Sequence, residues 1–296
     1  MPARFALAIP YYSGLDYLRE ALASALAQHD PDWTLLVLDD SPDKRGAREV
    51  VEGLGDARVR YQANPGTLGM VACWNRCLDS VEGDLVTLLH ADDRLLPGYV
   101  ERMKGLAAAH PEAVALFCAA ETIGAAGQRR FSLQDDIKRL LVPRGGEDVL
   151  LQGEPGVRAL MRGDFIVCPT LCFRRAALGQ RRFEPRWRQV QDLEFLARLL
   201  LAGETLAGSR AAHYAYRRHE ANTTAQQTAS LLRFEEEFVV FDLIAARAQE
   251  LGWLRAARAS RRKTILRLHL AWRVASALAR LRPAAAGRAL RFLLTR

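Results

Sequence analysis

The segment RFALAIPYYSGLDYLREALASALAQHDPDWTLLVLDD (4–40) decides the fold class of this chain of 296 residues. It begins with an apolar run (4–10), continues with leucines at helical spacing (14–28), and ends in a second apolar run (33–40) that stops at two carboxylates. Continuous apolar strands joined by a helix are typical of a parallel sheet that is covered on both faces. The segment therefore predicts a β-α-β unit.

The alternation of strand and helix continues beyond this unit. We predict a helix over 44–54, a third strand over 57–62, a helix over 68–81 and a fourth strand over 84–93. Right-handed crossovers then place the helices on alternate faces of the sheet. The pattern predicts an α/β fold with a mainly parallel, Rossmann-like sheet flanked by helices.

The second half of the sequence is less regular and ends in helices. An amphipathic helix is predicted over 191–203, with Gly203 as its stop. We place a boundary near residue 225, which separates a sheet domain (1–225) from a helical extension (226–296). The other predicted elements are a strand and turn (111–130), a long irregular excursion (125–155), a strand leading into a helix (164–178) and a strand running into a polar loop (210–224).

Composition places the chain among ordinary globular proteins. Half of the residues are hydrophobic and 26% are charged, which suffices for one large core or a core with an appendage. No apolar run approaches the ~18 residues that a membrane-spanning helix needs, and the N-terminus lacks the apolar core of a signal peptide. The five cysteines include no CxxC pair, so we expect reduced, packed cysteines and a cytoplasmic protein.

Positive charge is concentrated at the C-terminus. The formal net charge is +8, yet residues 251–296 hold 12 of the 42 Lys and Arg and no acidic residue, and elsewhere acidic residues outnumber basic ones. One predicted helical stripe carries Arg262, His269, Arg273 and Arg280 beside a wide apolar face. This pattern predicts peripheral association with an anionic membrane through residues 255–296. Packing on the sheet domain and a homodimer are the alternatives, and no nucleic-acid-binding fold is evident.

Unusual residues follow three of the predicted strands. They are Pro10-Tyr11-Tyr12-Ser13 after the first strand, Asp39-Asp40-Ser41 after the second, and His90-Ala91-Asp92-Asp93 after the fourth. Ligands of open α/β sheets bind beyond the carboxyl ends of the strands, so these residues predict one crevice. Each stretch by itself would also suit an ordinary turn or helix entry.

The carboxylates of this crevice predict a nucleotide site that uses a metal ion. The sequence has no GxGxxG or GxxxxGK[ST] loop, which argues against dinucleotide and P-loop enzymes. Mg²⁺ or Mn²⁺ on Asp92 and Asp93 would reverse the repulsion between carboxylates and a diphosphate. The carboxylates after the second strand could accept hydrogen bonds from a nucleobase and a ribose, and Tyr11 or Tyr12 could stack on the base.

Two blocks of the sequence resemble the family 2 inverting glycosyltransferases of the GT-A fold. AIPYYSGLDYLREALASALAQHDPDWTLLVLDDSPD (8–43) is similar to the family's opening, which reads as a strand, Pro-x-Tyr-Asn, a helix ending in Gln, and a strand ending in Asp-Asp-x-Ser-x-Asp. NPGTLGMVACWNRCLDSVEGDLVTLLHADDRLLPGYVE (64–101) is similar to the next block, with its Asn-x-Gly, its Asn-Arg helix and its metal-binding Asp-x-Asp-Asp. The resemblance is specific over residues 4–102 and looser over 103–225, which it marks as nucleotide-sugar and acceptor halves of one catalytic domain.

The resemblance implies roles for individual residues. Nucleotide-sugar binding falls to Pro10, Tyr11, Tyr12, Asp39, Asp40, Gly69, Asn75, His90 and Asp92. The metal would bind at Asp92 and Asp93, and the catalytic base would be Asp192.

Three further residues are candidates on their own chemistry. His219 could be a third metal ligand, or could bind the diphosphate beside Arg217 or Arg218; an ordinary loop histidine is the alternative. Trp187 and Arg186 could line an acceptor site because a flat aromatic ring suits a sugar face, whereas a packed Trp is the alternative.

The sequence departs from the family pattern at three positions. His90 replaces the first Asp of the metal motif, Ser13 replaces an Asn, and Gln191 stands where a Glu often precedes the base. Asp192 opens a predicted helix, and the helix dipole favours its ionised form. An ordinary N-terminal helix carboxylate is the alternative to a base, and Glu194 is the second choice for that role.

These features predict a metal-dependent inverting glycosyltransferase in bacterial surface polysaccharide or glycolipid biosynthesis. It would move a sugar from a nucleotide-diphosphate sugar to a glycan or lipid-linked acceptor, with Mn²⁺ or Mg²⁺ as cofactor. We expect a cytoplasmic protein, peripheral on the inner face of the plasma membrane. The alternatives are a catalytically degenerate sugar-nucleotide binder, suggested by His90, a sugar nucleotidyltransferase, and a basic adaptor protein.

Overall fold

Strands and helices alternate through the chain much as the sequence predicts. A computed structural model describes residues 3–131, 140–218, 231–280 and 283–295. The strands are β1 (Phe5–Tyr11), β2 (Trp33–Asp39), β3 (Val59–Ala63), β4 (Leu85–Leu88), β5 (Arg94–Leu95), β6 (Ala113–Ile123), β7 (Asp148–Leu151), β8 (Cys172–Arg174) and β9 (Thr205–Arg217).

The helices account for most of the remaining described residues. They are α1 (Leu15–Leu26), α2 (Arg45–Glu52), α3 (Met70–Ser80), α4 (Tyr99–Ala109), α5 (Gly153–Arg162), α6 (Arg175–Leu178), α7 (Gln191–Leu201), α8 (Leu232–Glu250), α9 (Leu254–Arg262), α10 (Thr264–Ala279) and α11 (Pro283–Thr295). A short 3₁₀ turn covers Cys168–Thr170.

One nine-stranded sheet organises the fold, with β3, β2, β1, β4, β8, β6, β9 and β5 side by side and β7 paired with β9. Strands β1 to β4 are parallel to one another, as the β-α-β pattern predicts. The later strands add antiparallel pairs, of which β4 with β8 is the first. The predicted fold class is confirmed.

Alternate positions of β1 face opposite sides of the sheet, which explains why the strand is apolar throughout. Phe5, Leu7 and Ile9 join a core cluster with the buried sides of α1, α2 and α4. Ala6 and Ala8 are equally buried but lie outside that cluster. Because successive side chains of a strand point to opposite faces, both faces of the sheet are covered.

The irregular excursion predicted over 125–155 contains ordered structure in its later part. Strand β7 pairs with β9 from Asp148 to Leu151, and α5 follows it directly. The strand alternates exposed and buried residues and is short, so periodicity alone did not reveal it.

The chain divides into two compact units. The first contains Met1–Leu151, Phe165–Arg186 and Glu204–His219, and the second contains Gln152–Asp164, Trp187–Gly203 and Glu220–Arg296. The single boundary predicted near residue 225 differs from this division, because α5 and α7 pack with α8 and α9 although they precede them by many residues.

The basic stripe predicted for the C-terminal helices is wrong. Lys263 adopts a left-handed conformation, with φ of 49°, between α9 and α10, so Arg262 lies on a different helix from the other members. His269 and Arg273 contact Phe234 of α8 instead of forming an exposed edge. Helices usually end at a glycine when the next residue has a positive φ, and a lysine rarely takes this conformation. The sequence therefore gave no sign of a helix end at Lys263.

Two expectations from composition can be compared with the structure. All five cysteines are free thiols, and only Cys168 is not fully buried. Within the described residues, no helix combines the length and the apolar character needed to cross a membrane.

Candidate functional site

The carboxyl ends of β1, β2 and β4 lie next to one another at one edge of the sheet. The amide of Asp40 donates to the carbonyl of Tyr11 at 2.8 Å, and the amide of Leu89 donates to the carbonyl of Ala8 at 2.9 Å. The three unusual stretches therefore do converge, as the parallel register requires. All residues involved belong to the first unit.

The loop after β4 brings an imidazole and two carboxylates together. After β4 the chain turns at Ala91 and Asp92, and the amide of Asp93 donates to the carbonyl of His90 at 3.1 Å. Ligand atoms of His90, Asp92 and Asp93 lie within 4.8 Å of one another. The turn therefore presents three ligating groups in a single short loop.

Asp93 is held inside the protein. Its Oδ1 accepts a hydrogen bond from the amide of Arg217 at 2.7 Å, and its Oδ2 accepts one from the Tyr214 hydroxyl at 3.0 Å. Burial raises the pKa of Asp93 well above its usual value, the nearby charge of Asp92 raises it further, and these hydrogen bonds oppose the shift. The main task of Asp93 in this structure is to attach the loop to β9.

Arg217 locks the same loop from its other side. Its fully buried guanidinium donates to the carbonyl of Asp92 at 2.6 Å and to the carbonyl of Ala125 at 2.7 Å, and it pairs with Glu20 of α1. The guanidinium also lies 4.6 Å from the centre of the Tyr17 ring. The Arg217 guanidinium therefore donates to groups inside the protein, and the predicted contact of Arg217 or Arg218 with a diphosphate stays a prediction.

His90 lies against an aromatic wall. Its ring centre is 5.0 Å from that of Trp74 on α3. Burial lowers the pKa of His90, and the charge of Asp92 partly opposes this shift. A neutral imidazole offers a lone pair to a metal ion, so the replacement of an Asp by His90 leaves a ligating group at this position.

The donor set of this loop fits a hard or borderline divalent cation. Asp92 is half-buried, its carbonyl is bound by Arg217, and its carboxylate lies beside the imidazole of His90. Carboxylate oxygen and imidazole nitrogen are ligands that Mn²⁺ accepts readily, whereas Mg²⁺ prefers oxygen alone. Asp92 and His90 could therefore hold Mn²⁺. Each carboxylate oxygen of Asp93 has a further lone pair, which could also bind the ion.

The carboxylates after β2 form a structural network of their own. Asp39 accepts hydrogen bonds from the Ser41 hydroxyl at 2.6 Å and from the Tyr61 hydroxyl at 2.7 Å, and its side chain is fully buried. Asp40 accepts bonds from the amides of Leu68 and Gly69 at 2.8 and 2.9 Å. Their predicted contacts with a base and a ribose stay a prediction, because protein groups occupy these carboxylates in the structure.

The loop before α3 depends on this network. Gly69, with φ of 88°, directs its amide at Asp40, and this left-handed backbone favours glycine. Asn64 also donates to Asp40, at 2.8 Å. The predicted nucleotide contact of Gly69 is thus accompanied by a clear backbone role.

Asn75 pairs with the main chain of Phe183, and its predicted contact with a nucleotide sugar stays a prediction. Its amide nitrogen donates to the carbonyl of Phe183 at 2.8 Å, and its amide oxygen accepts from the amide of Phe183 at 2.9 Å. The side-chain amide of Asn75 therefore makes the same pair of hydrogen bonds to Phe183 that a neighbouring strand would make. The sequence could not show this pairing, because the two residues are 108 positions apart.

The two tyrosines at the end of β1 differ in exposure, because successive side chains of a strand point to opposite sides. Tyr11 is 4% exposed and belongs to the core cluster, whereas Tyr12 is 56% exposed. Pro10 pairs with Leu38 in the sheet and is half-buried. Of the two candidates for stacking on a base, only Tyr12 presents its ring to solvent.

The remaining candidates do not all lie in the first unit. Asp192 lies in the first turn of α7, as predicted, and Glu194 pairs with Arg198 at 2.9 Å. Trp187 is 7% exposed, which fits the packed alternative, and its predicted place at an acceptor site stays a prediction. Arg186 is exposed in the first unit. His219 lies outside the described residues.

Some important residues escaped sequence analysis. Tyr214 and Trp74 support the loop after β4, and Asn64 and Tyr61 support the carboxylates after β2. The only available signal was that Tyr214 and Arg217 stand in the same predicted strand. Nothing in the sequence relates that strand to a loop 121 residues earlier.

A mainly parallel sheet whose strand ends carry an Asp-Asp pair and a His-x-Asp-Asp loop is typical of α/β proteins of the GT-A type. The chain belongs to glycosyl transferase family 2, because the model of that family matches residues 6–180. This match confirms the resemblance read from the motifs, and it extends from β1 to beyond β8.

Solved structures with the same fold include two that hold nucleotides. S. aureus TarS in complex with UDP-GlcNAc matches with a TM-score of 0.63 and 19% identity, over 82% of this chain and 66% of that one. The mannosyltransferase PcManGT from Pyrobaculum calidifontis in complex with GDP-Man and Mn²⁺ matches with a TM-score of 0.59 and 14% identity, over 99% and 86%. At these identities the likeness shows the fold.

Curated relatives are distant or match in part. An uncharacterized glycosyltransferase of Rickettsia typhi is 23% identical over 77% of this chain and 68% of its own length. An uncharacterized protein of Mycobacterium tuberculosis is 32% identical over 32% of this chain, a match that spans 30% of that protein. A Bacillus subtilis protein named for teichuronic acid biosynthesis, TuaG, is 26% identical over 29% of this chain and 34% of its own length.

Proposed function

We propose that this protein is a metal-dependent inverting glycosyltransferase that uses a nucleotide-diphosphate sugar as donor. The observation that carries the proposal is the grouping of His90, Asp92 and Asp93 within 4.8 Å at the end of β4, in a chain of glycosyl transferase family 2. The UDP-GlcNAc bound to TarS and the GDP-Man bound to PcManGT support the donor class.

Asp92 and His90 are the residues that would hold Mn²⁺ in this proposal. When bound, such an ion supplies Lewis-acid stabilisation of charge on a departing diphosphate. Arg217 keeps the backbone of Asp92 in position, and Asp93 ties the loop to β9, so the ligands are organised before a donor arrives. Tyr12 offers an exposed ring against which a base could stack.

Asp192 is proposed as the base that takes the proton from the acceptor hydroxyl. In an inverting transfer one carboxylate is sufficient for this step, because the acceptor oxygen attacks from the side opposite the departing diphosphate. Asp192 begins α7, whose N-terminal dipole stabilises a carboxylate. Glu194, which pairs with Arg198, is the second candidate for this role.

We further propose an acceptor from surface polysaccharide synthesis, either a glycan or a lipid-linked sugar. The support is the name of the Bacillus subtilis relative, which refers to teichuronic acid biosynthesis. The exposed Arg186 of the first unit is suitable for an anionic acceptor, although its role depends on the acceptor's identity.

The first experiment measures thermal stabilisation of the full chain by UDP, GDP and dTDP, each with and without Mn²⁺. We expect one nucleotide to raise the melting temperature, and to do so more strongly with Mn²⁺. Absence of stabilisation by all three would contradict the proposal. If one binds, sugar donors of that nucleotide are tested for transfer, and an inverted anomeric configuration of the product by NMR is the expected result.

The second experiment tests the base. Asp192→Asn should keep nucleotide-dependent stabilisation and lose transfer, whereas the matched variant Glu194→Gln should retain most activity. Full turnover by Asp192→Asn would overturn the assignment.

A catalytically degenerate sugar-nucleotide binder is the second candidate, and His90 is the observation in its favour. The two candidates differ in one result. The degenerate binder would show nucleotide-dependent stabilisation without transfer of sugar from any donor of that nucleotide.

A further inference from the structure

The C-terminal helices of the second unit expose much apolar side chain. Of the sixteen large hydrophobic side chains that are exposed in the described parts of the chain, seven lie between Leu251 and Leu294, which is less than a sixth of the sequence. Leu268 is 60% exposed and Trp272 is 59% exposed. Apolar surface concentrated in this way marks an interaction site.

On α10 the exposed residues form a single stripe. Leu268, Trp272, Ala275 and Ala279 follow one another at spacings of four, three and four, and all four are exposed. The fully buried Leu270 belongs to the other side of the same helix. Thus α10 packs with one apolar side and displays a second one, which none of the described residues of its unit covers.

Cations border the displayed stripe. Arg267 and Arg280 are exposed and lie roughly 100° to either side of it around the α10 helix. The next helix, α11, repeats the pattern, since exposed Leu290 and Leu294 are four residues apart with exposed Arg291 between them. No acidic residue occurs in residues 251–296, so nothing in this segment offsets the positive charge.

We propose that α10 and α11 form a docking face for an anionic lipid bilayer. Leu268 and Trp272 would enter the boundary between headgroups and acyl chains, a depth that Trp favours. The arginines would keep their charged ends at the lipid phosphates while their methylene stems cover apolar surface. This face differs from the stripe predicted from sequence, whose His269 and Arg273 contact α8.

Charge complementarity selects the bilayer over a second copy of the chain. A two-fold symmetric dimer through this face would bring the same arginines of both copies together, with no carboxylate from the segment to pair with them. An anionic bilayer instead supplies negative charge along the whole face, and its acyl region accepts the apolar stripe.

The experiment is flotation of the full chain with lipid vesicles, which requires no sugar donor and is therefore independent of the proposed reaction. Vesicles of phosphatidylcholine alone are compared with vesicles that also contain phosphatidylglycerol. We expect flotation only with phosphatidylglycerol, and its loss at ~1 M salt, where the screening length falls to ~3 Å. Equal flotation with both vesicle types would overturn the charge argument.

Two variants separate the apolar and the charged contributions. Leu268→Ser/Trp272→Ser removes the centre of the stripe, and its matched control Leu54→Ser/Leu150→Ser removes two exposed apolar side chains of the first unit. Arg267→Gln/Arg280→Gln/Arg291→Gln should lower the vesicle partition coefficient on the order of 100-fold, from about 1 kcal/mol for each cation near an anionic surface. Its control is Arg45→Gln/Arg60→Gln/Arg130→Gln, which are exposed in the first unit.

Light scattering and melting curves complete the test. All variants should stay folded at the temperature of the flotation experiment, because the substituted side chains are exposed. The Arg267 guanidinium also lies 6.0 Å from the centre of the Phe238 ring, so a small loss in melting temperature is expected for the arginine variant. Undiminished flotation of both test variants would overturn the proposal. A concentration-dependent dimer that disappears in Leu268→Ser/Trp272→Ser, without vesicle binding by the parent, would identify a second copy as the occupant instead.

Discussion

Two regions of this protein treat charge in opposite ways. At the sheet edge of the first unit, the carboxylates Asp39, Asp40 and Asp93 are buried and hydrogen-bonded by protein groups. In the C-terminal helices of the second unit, several arginines are exposed to solvent, and residues 251–296 contain no Asp or Glu that could pair with them. A buried, hydrogen-bonded carboxylate holds a loop in one conformation, whereas an exposed arginine can bind a partner.

Asp92 is informative because it stands between these two conditions. It is half-buried, and its backbone is held by Arg217, yet it belongs to the same loop as the fully enclosed Asp93. The contrast predicts that neighbouring carboxylates differ in what they do, with stability assigned to one and ligand binding to the other.

Removal of the buried cation should cost the most. Arg217→Ala removes the fully buried guanidinium that pairs with Glu20 and donates to the carbonyls of Asp92 and Ala125. We expect a loss of about 3–5 kcal/mol, because each buried carbonyl left without its donor costs about 1–3 kcal/mol. Thermal or urea unfolding of the first unit measures the loss. Arg217→Lys keeps the charge but lacks the planar fork, so an intermediate loss is expected.

The control for this prediction is Arg19→Ala, which removes an exposed ion pair with Asp16 in the same unit. It should change the free energy of unfolding by no more than about 0.5 kcal/mol. Equal effects of the two variants would show that burial of Arg217 does not matter.

Substitution of Asp92 should affect function rather than stability. Asp92→Asn is expected to lower sugar transfer on the order of 1,000-fold, because a carboxylate ligand of the metal site is lost. Its unfolding free energy should change by less than about 1 kcal/mol. The Mn²⁺-dependent part of nucleotide stabilisation should also disappear, which Asp16→Asn, an exposed control on α1, should retain. Normal Mn²⁺ dependence in Asp92→Asn would contradict the metal assignment.

Asp40 tests the enclosed side of the comparison. Asp40→Asn replaces an acceptor oxygen by a donor in a site where Asn64, Leu68 and Gly69 all donate. We expect a loss of about 2–3 kcal/mol in unfolding free energy. The exposed Asp43→Asn, in the same loop, is the control. A stable Asp40→Asn variant with weakened nucleotide binding would instead support the predicted contact with the base or ribose.

One titratable ring of the helices is turned inward, and it gives a pH dependence. Burial, followed by the charges of Arg233 and Arg273, lowers the pKa of His269 from 6.5 to about 4. Because the folded state disfavours the protonated ring, its contribution to stability is complete above pH 6.5 and is lost as pH falls towards 4.

We expect this loss to amount to about 2 kcal/mol after allowance for solvent screening. The measurement is the unfolding free energy of the second unit between pH 7 and 4, compared with His269→Gln. Identical pH slopes for the two proteins would exclude the effect.

Asn75 should give the smallest effect. Asn75→Ala removes two hydrogen bonds to the main chain of Phe183, at a cost of about 1–2 kcal/mol. Nucleotide-dependent stabilisation should be unchanged relative to the lower melting temperature. A selective loss of nucleotide binding in Asn75→Ala would instead support the nucleotide-sugar contact that the sequence predicts for this residue.

Local pattern was sufficient to predict most of the fold. Apolar runs, helical spacing and residues at strand ends identified β1 to β4, their helices and the edge at which the ligand groups meet. These signals act within a few residues, because the hydrogen bonds and burial of a strand or helix depend on its own side chains. The resemblance to family 2 rests on the same short stretches, and the family match confirms it.

Only the tertiary structure decided which of these residues face inward. Arg217, Tyr214 and Asn75 find their partners more than a hundred residues away, and Trp187 is buried although its neighbours are polar. The left-handed Lys263 divided a predicted basic stripe between two helices. Burial and long-range hydrogen bonds depend on how distant segments of the chain pack together. The sequence therefore determined which chemical groups lie at the sheet edge, and tertiary packing determined which of these groups are buried and which are accessible.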